Sequence, residues 1–170
     1  MAEVVLREID KEIWQECMNL VLRLEHGGLV APHRYSSPVF AAEPTFVQLA
    51  IYHEGEIVGY AMYGRDPDDG EWWIYRLMID IAHQGKGLGK SAISEVVKMM
   101  HETANCKRIY AGYRPENYVA GAFLWTVGFE RTGQMLQGEY VTCLDLNGDG
   151  TPSVKAGDGH NDAVRSKQHD

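Results

Sequence analysis

The chain has 170 residues, of which 45% are hydrophobic and 24% are charged, a composition typical of one globular domain with a sizeable core. Its formal net charge of -8 argues against nucleic acid as a partner, because nucleic-acid binding requires a basic face. The same charge is compatible with a cationic small-molecule substrate. The sequence has no run of about 18 apolar residues, so we expect neither a transmembrane helix nor a membrane partner.

The first residues and the cysteines indicate the cellular compartment in which the protein is expected. Glu3 and Arg7 lie too early in the chain for a secretory signal, and a cytoplasmic location is therefore expected. Cys17, Cys106 and Cys143 are odd in number and lack the spacing of metal ligands. We expect buried thiols, with neither a disulfide framework nor a metal site.

The apolar pattern predicts a mixed α/β fold with strands and helices in a defined order. Residues 26–44 contain several glycines and prolines and are read as a loop or broken helix. Residues 147–170 are polar and glycine-rich, so we expect a loose tail after a single domain over residues 1–146. The predicted elements are a strand (4–9), a helix (10–25), a hairpin (46–65), an acidic turn (66–71), a central strand (72–81), a helix (88 to about 103), a strand (107–114), a short helix (116–127) and a last strand (139–146).

The stretch "HQGKGLGK" (83–90) places three glycines between the central strand and the following helix. A glycine-rich turn before a helix N-terminus favours phosphate, because free N–H groups and the helix dipole point at the anion. The P-loop pattern fails, since Gln84 occupies the position of its first glycine. The dinucleotide pattern G-x-G-x-x-G fails as well, since Lys90 stands at its last glycine.

A third pattern fits, because Gln84, Gly87 and Gly89 form Q-x-x-G-x-G. This loop resembles the pyrophosphate loop of the GNAT superfamily of acetyl-CoA-dependent N-acetyltransferases. Downstream, "ENYVAGAFLWTVGF" (116–129) is similar to the second coenzyme segment of that family. The resemblance implies a mostly antiparallel central sheet, splayed between its middle strands and flanked by helices, and acetyl-CoA as acetyl donor. The coenzyme-binding residues that it implies are Leu77, Met78, Ile79, Gln84, Gly85, Lys86, Gly87, Leu88, Gly89, Lys90, Asn117 and Phe123.

Within the superfamily, residues 54–64, 79–90 and 106–110 resemble bacterial spermine/spermidine acetyltransferases. The resemblance implies transfer of an acetyl group to a primary amine of a small cationic acceptor such as a polyamine. The resemblance also implies that the amine attacks directly in a ternary complex and that an N–H near Ile79 faces the thioester oxygen, as a donor to the developing oxyanion. A homodimer is implied by analogy with the family alone.

The sequence departs from the family pattern at two positions. Leu124 stands where the family usually has a tyrosine that protonates the leaving thiolate. Either water or another hydroxyl then supplies the proton; Tyr118, Tyr113 and Tyr140 are the alternative hydroxyls, with Tyr118 taken as the catalytic candidate. Tyr75 replaces the carboxylate that binds or deprotonates the amine in the polyamine enzymes, and it is assigned a catalytic and a substrate role. The acidic groups that remain nearby are Glu71, Asp80 and the "DPDD" turn (66–69). The predicted substrate residues are Glu25, His26, Trp73 and Tyr75.

Several functions remain open on the sequence. Tyr75 in place of a carboxylate favours an amino acid or an amine antibiotic as acceptor. Acetylation of a peptide N-terminus is another alternative. A coenzyme-A-binding protein without turnover is a third, and Leu124 is the residue that supports it.

Overall fold

A computed structural model of the chain describes residues 2–24 and 46–153, although not the side chains of residues 21–24. The described residues form seven strands and three α-helices, with a short 3-10 turn, Ile81–His83, before the second helix. In chain order these are β1 (Val5–Glu8), α1 (Trp14–Leu24), β2 (Phe46–His53), β3 (Glu56–Arg65), β4 (Trp72–Ile79), α2 (Leu88–Ala104), β5 (Arg108–Tyr113), α3 (Tyr118–Thr126), β6 (Glu130–Leu136) and β7 (Glu139–Asp145).

All seven strands belong to one sheet with the order β1-β2-β3-β4-β5-β7-β6. Neighbouring strands are antiparallel except β4 and β5, which are parallel because α2 forms the crossover between them. The mixed, mostly antiparallel sheet predicted by the family resemblance is confirmed.

The sheet opens between β4 and β5. Their ladder consists of one residue pair, Trp73 with Tyr110, whereas β5 pairs with β7 along its whole length, from Arg108 to Tyr113. On the other side, β4 has a bulge at Tyr75, because its neighbours on both sides are paired with β3 and it is not. A bulge bends and twists its strand, which helps β4 to diverge from β5 beyond Trp73.

The two faces of the sheet are covered by different helices. On the face that we call the α2 face, α2 buries Ile93, Val96 and Met100 against the sheet. On the opposite face, the α1 face, Leu20 of α1 packs against an aromatic cluster. This cluster includes Phe46, Tyr60, Trp73 and Tyr75.

Most predicted elements are present, but the sequence missed β6. This edge strand is largely exposed and contains Gly133 in a left-handed conformation, so it lacks the apolar alternation that marks a half-buried strand. The signal in the sequence was the glycine at residue 138. Gln137 and Gly138 both have positive φ, as two-residue hairpin turns require, and glycine is favoured in such turns.

The beginning of the predicted tail is folded against the domain. Leu146 forms an isolated bridge with Pro152, and the N–H of Asn147 donates to the carbonyl of Thr151 at 2.8 Å. Residues 154–170 lie outside the described part of the chain.

The cysteines agree in part with expectation. Cys17 and Cys106 are buried and Cys143 is half-buried, and all three are free thiols. Burial raises the pKa of both buried thiols to about 11. Over the described ranges, no cluster of three His, Cys, Asp or Glu side chains could hold a metal ion, and no helix has the length and apolar character needed to cross a bilayer.

Candidate active site

The glycine loop connects the end of β4 to the start of α2. Gly85 has φ +76° and Gly87 has φ +79°, in the left-handed region that L side chains rarely adopt. A Cβ atom on either glycine would have no protein atom within 4 Å. Both positions therefore require glycine for the backbone conformation and not for packing within the protein.

The N-terminus of α2 leaves backbone donors free. Its N-cap residue, Gly87, has no side chain to cap the helix, and the N–H of Ser91 is the first to bond back, to the Gly87 carbonyl at 3.2 Å. The N–H groups of residues 88–90 precede that bond and carry the positive end of the helix dipole. Lys86 and Lys90 are exposed beside them, so this turn suits an anionic group such as a pyrophosphate.

Gln84 holds the loop against the strand. Its side-chain Nε2 donates to the carbonyl of Ile79 at 2.8 Å. Leu88, the first residue of α2, is buried in the core on the α2 face. These two contacts anchor the loop at both ends and keep the free N–H groups beside the opening between β4 and β5.

The backbone of β4 directs alternate residues to opposite sides. The N–H of Asp80 donates to the Val58 carbonyl of β3 at 2.7 Å, and Met78 is paired with Tyr60. Because N–H and C=O groups alternate in direction along a strand, those of Met78 point to β3. Those of Leu77 and Ile79 point to the opening between β4 and β5.

Gly59 provides independent evidence for this direction. A Cβ atom at Gly59 would clash with the carbonyl oxygen of Met78, so that oxygen lies against β3. The predicted coenzyme contacts through the backbone thus fit Leu77 and Ile79, while the backbone groups of Met78 are directed away from the opening.

Two predicted substrate residues lie buried on the α1 face beside this opening. Trp73 stacks on Tyr110 across the β4–β5 pair, with ring centroids 5.3 Å apart, and its Nε1 donates to Asp69 at 3.0 Å. Tyr75 is 1% exposed, and its hydroxyl donates to Asp66 at 3.0 Å. The other two predicted substrate residues, Glu25 and His26, lie outside the described residues.

Asp66 is a candidate site residue that the sequence did not single out within its acidic turn. The turn was predicted only as a source of nearby carboxylates, and the side chain of Asp66 is buried. Its Oδ1 accepts from the N–H of Asp68 at 2.8 Å while Oδ2 accepts from Tyr75. A carboxylate therefore lies directly behind the tyrosine that replaces the usual acidic residue.

Helix α3 contains Leu124 and starts beside Tyr118. Asn117 is the N-cap residue, its side-chain oxygen accepting from the Ala120 N–H at 3.2 Å, and Phe123 packs partly buried against the α2-face core. Leu124 is completely buried. Tyr118 is 77% exposed, so little of the described structure packs around its side chain.

Tyr113 is the better placed of the alternative hydroxyls. It lies at the end of β5 against Gly121 of α3, where an added Cβ would come within 2.7 Å of the ring and 3.1 Å of the hydroxyl. Its ring also meets Tyr140 edge-on at 5.5 Å. Burial raises the pKa of Tyr113 above its ordinary value, which keeps the hydroxyl protonated and able to donate.

Glu139, at the start of β7, is a second group that the sequence did not single out. It is 4% exposed, and Oε2 is buried without a hydrogen-bond partner in the described structure. Burial raises the pKa of Glu139 to about 7, opposed by the positive charge of Arg114. The alternation in "EYVTCLDL" could have located it, since it places Glu139 on the same face as the buried Val141.

The comparisons with known proteins agree with this geometry. The model of the acetyltransferase (GNAT) family matches residues 7–129. A spermine/spermidine N(1)-acetyltransferase of Bacillus subtilis (strain 168) is 35% identical over 105 residues, which cover 58% of this chain and 69% of the relative.

Solved structures show the same fold. An aminoglycoside acetyltransferase in complex with coenzyme A superimposes with a TM-score of 0.66 at 20% identity, covering 84% of this chain and 95% of that one. A spermidine N-acetyltransferase variant from Vibrio cholerae superimposes with a TM-score of 0.65 at 13% identity, covering 84% and 93%. The chain therefore belongs to the GNAT acetyltransferase family, and its class of activity is acetyl-CoA-dependent N-acetyl transfer.

Proposed function

We propose that this protein transfers an acetyl group from acetyl-CoA to a primary amine of a small cationic acceptor, with polyamines as the favoured class. The observation that carries the proposal is the opening between β4 and β5, which begins beyond the Trp73–Tyr110 pair. It ends beside the free N–H groups of α2. A coenzyme whose pyrophosphate lies on those groups has room for its extended arm between the two strands.

The backbone of β4 supplies donors for the arm and for the reacting thioester. Since the pyrophosphate lies at the C-terminal end of β4, the arm runs back along the strand and meets Ile79 before Leu77. The N–H of Leu77, which lies deeper in the opening, is then the donor to the thioester oxygen. The sequence instead favours an N–H near Ile79, two residues closer to the pyrophosphate. A donor preorganised at a developing oxyanion is commonly worth about 3 to 4 kcal/mol.

The α1 face supplies the features that suit a cationic acceptor. The Trp73–Tyr110 stack forms an aromatic floor where β4 and β5 meet, and aromatic faces attract cations. Asp66, behind Tyr75, restores a carboxylate close to the position where the polyamine enzymes have one. This carboxylate and the similarity to the Bacillus enzyme both support a polyamine as the acceptor.

Two further expectations from the sequence remain proposals. A homodimer is supported only by analogy with the family. A cytoplasmic location is in keeping with three free cysteines, since disulfides are rare where thiols are kept reduced. Sedimentation equilibrium tests the homodimer, and fractionation of the source cells tests the location.

The direct test measures thiol release from acetyl-CoA with spermidine, spermine, putrescine, lysine, an aminoglycoside and a short peptide. Gly89→Trp is the blocked-loop control, because residue 89 lies within the first turn of α2 and does not have positive φ. Turnover with a polyamine that is lost in the control supports the proposal. A preference for lysine, the antibiotic or the peptide reassigns the acceptor. No turnover, together with tight coenzyme A binding by calorimetry, contradicts the enzyme and indicates a coenzyme-A-binding protein.

A further inference from the structure

The carboxylate of Glu139 lies over β5 on the α1 face of the sheet. Gly112 of β5 is paired with Val141 of β7, and a Cβ atom at Gly112 would come within 2.6 Å of Oε2 of Glu139. The absence of a side chain at residue 112 thus makes the space that the carboxylate occupies. Glu139 and Val141 share a face because they are two residues apart on one strand.

This position is at the opening between β4 and β5. Gly112 lies two residues beyond Tyr110, and Tyr75 lies two residues beyond Trp73, so both follow the last residue pair that joins the two strands. The carboxylate over Gly112 is therefore across the opening from Tyr75. Leu77, whose N–H faces the same opening, is two residues farther along β4, about 7 Å at the rise of an extended strand.

Nothing in the described fold explains why this carboxylate is buried. Oε2 has no hydrogen-bond partner there, and burying a polar group without a partner costs free energy. Buried polar groups are normally hydrogen-bonded, and a partnerless carboxyl group beside an opening is a candidate for a functional site. A bound ammonium group would supply both the missing hydrogen bond and the opposite charge.

We propose that Glu139 is the catalytic residue that binds the acceptor's ammonium group and accepts its proton. This inference rests on the proposed function, since it names the base of the same reaction. The proton passes from the acceptor nitrogen to Oε2, directly or through one water. The freed lone pair then attacks the thioester carbon.

The transfer balances without any further reactant. The nitrogen–carbon bond forms as the carbon–sulfur bond breaks, and the sulfur leaves with its electron pair. The thiolate takes a proton from a nearby hydroxyl to give the thiol of coenzyme A, and the second proton lost by the nitrogen restores that hydroxyl. Glu139 returns the first proton to solvent, so the products are the N-acetyl amine, coenzyme A and one proton.

The surroundings of Glu139 suit a base that works near neutral pH. Burial raises the pKa of Glu139 to about 7, and Arg114, just beyond β5, holds it from rising farther. The other titratable groups on this face follow from strand alternation and pairing. They are Tyr110 on β5, Cys143 on β7, Glu130 opposite Cys143 on β6, and, across the opening, Tyr75 with Asp66 and the buried guanidinium of Arg76 on β4.

The test compares Glu139→Gln with Glu130→Gln in the full chain, with acetyl-CoA and spermidine from pH 6 to pH 10. Glu130 is the matched control because it lies in the same hairpin and faces the same side, paired with Cys143. We expect Glu139→Gln to lower kcat/KM by at least a hundredfold at pH 7. The loss should shrink toward pH 10, where the acceptor is already neutral. Glu130→Gln should stay within threefold of the wild type at every pH.

The outcomes separate this inference from the proposed function. Coenzyme A binding measured by calorimetry should be the same in all three proteins. A Glu139→Gln enzyme within threefold of the wild type at pH 7, or one with an equal loss at every pH, overturns the assignment of the base while acetyl transfer stands. A wild-type protein that releases no thiol with any amine overturns the proposed function, and the role of Glu139 with it.

Discussion

The carboxylate of Glu139 covers the backbone of Gly112, and a Cβ atom on residue 112 would lie 2.6 Å from its Oε2. The atom in the way is the end of a flexible side chain and not backbone. Gly112→Ala should therefore be tolerated by the fold and should move the carboxylate from its position.

Gly112→Ala is expected to lower kcat/KM with spermidine by at least tenfold, because a base that is out of position loses much of its effect. The melting temperature should change little, and coenzyme A binding should not change. In a Glu139→Gln background the same substitution should have almost no further effect, since the two changes act on one group. Losses that multiply in the double variant would show that Gly112 acts by some other route.

A substitution in the glycine loop should affect coenzyme binding and stability in opposite ways. Gly89 lies within α2, where alanine is about 1 kcal/mol more favourable than glycine. We expect Gly89→Ala to raise the melting temperature and yet to raise the KM for acetyl-CoA, because the added methyl group stands where the pyrophosphate approaches. Thermal unfolding and initial rates at varied acetyl-CoA measure the two effects.

Gly87→Ala is the matched comparison. Its φ of +79° makes alanine unfavourable by about 1 to 2 kcal/mol, so this variant should have a lower melting temperature. A Gly89→Ala protein that is more stable and has an unchanged KM would contradict the proposed position of the pyrophosphate.

The hydroxyl that protonates the leaving thiolate can be identified with two substitutions. Tyr113 packs against α3 at Gly121, whereas Tyr118 is 77% exposed. We expect Tyr113→Phe to lower kcat about tenfold and Tyr118→Phe to leave it within twofold. The effect is limited because a thiol with pKa near 8.5 can leave as thiolate. The reverse order of effects, measured under saturating substrates, would restore Tyr118 as the acid.

Glu139 should also make stability depend on pH. Its pKa is about 7 in the folded protein against an ordinary value of 4.5, so the folded state holds a proton that the unfolded state releases. The stability that protonated Glu139 contributes to the folded state is complete below pH 4.5 and is lost as the pH rises through 7. One unit of pKa difference between the folded and unfolded states corresponds to about 1.4 kcal/mol. The free energy of unfolding therefore falls by about 3 kcal/mol over this pH range.

Chemical denaturation at pH 5 and pH 8 tests this dependence. The wild type should lose stability relative to Glu139→Gln as the pH rises, because glutamine has no proton to release. An equal difference between the two proteins at both pH values would show that the carboxylate is not desolvated in the folded state.

Most helices and strands could be predicted from local patterns in the sequence. The helical repeat of 88–103 and the apolar run of 72–81 located α2 and β4 because each buries a large apolar surface. Strand β6 was missed since it is an exposed edge with a glycine in its middle. Its existence depends on pairing with β7 and not on its own composition.

The candidate site also contains parts that local sequence predicts and parts that depend on distant contacts. The coenzyme loop could be predicted because its function lies in consecutive backbone groups, which glycine spacing reveals. The roles of Asp66 and Glu139 could not, since each depends on contact with a residue that is distant in sequence, Tyr75 and Gly112 respectively. Strand alternation places Glu139 on the same face as Val141 but does not show what its carboxylate contacts. The direction of the Met78 backbone likewise depends on the pairing of β4 with β3, which the sequence of β4 alone does not contain.

Amide hydrogen exchange measured by NMR with and without coenzyme A is the decisive test of whether the coenzyme lies between β4 and β5. If it does, the N–H groups of Leu77, Ile79, Gly89 and Lys90 become strongly protected, while that of Met78, already directed to β3, changes little. Protection of residues 88–90 without any change at Leu77 and Ile79 would contradict this position, because the arm would then lie outside the sheet.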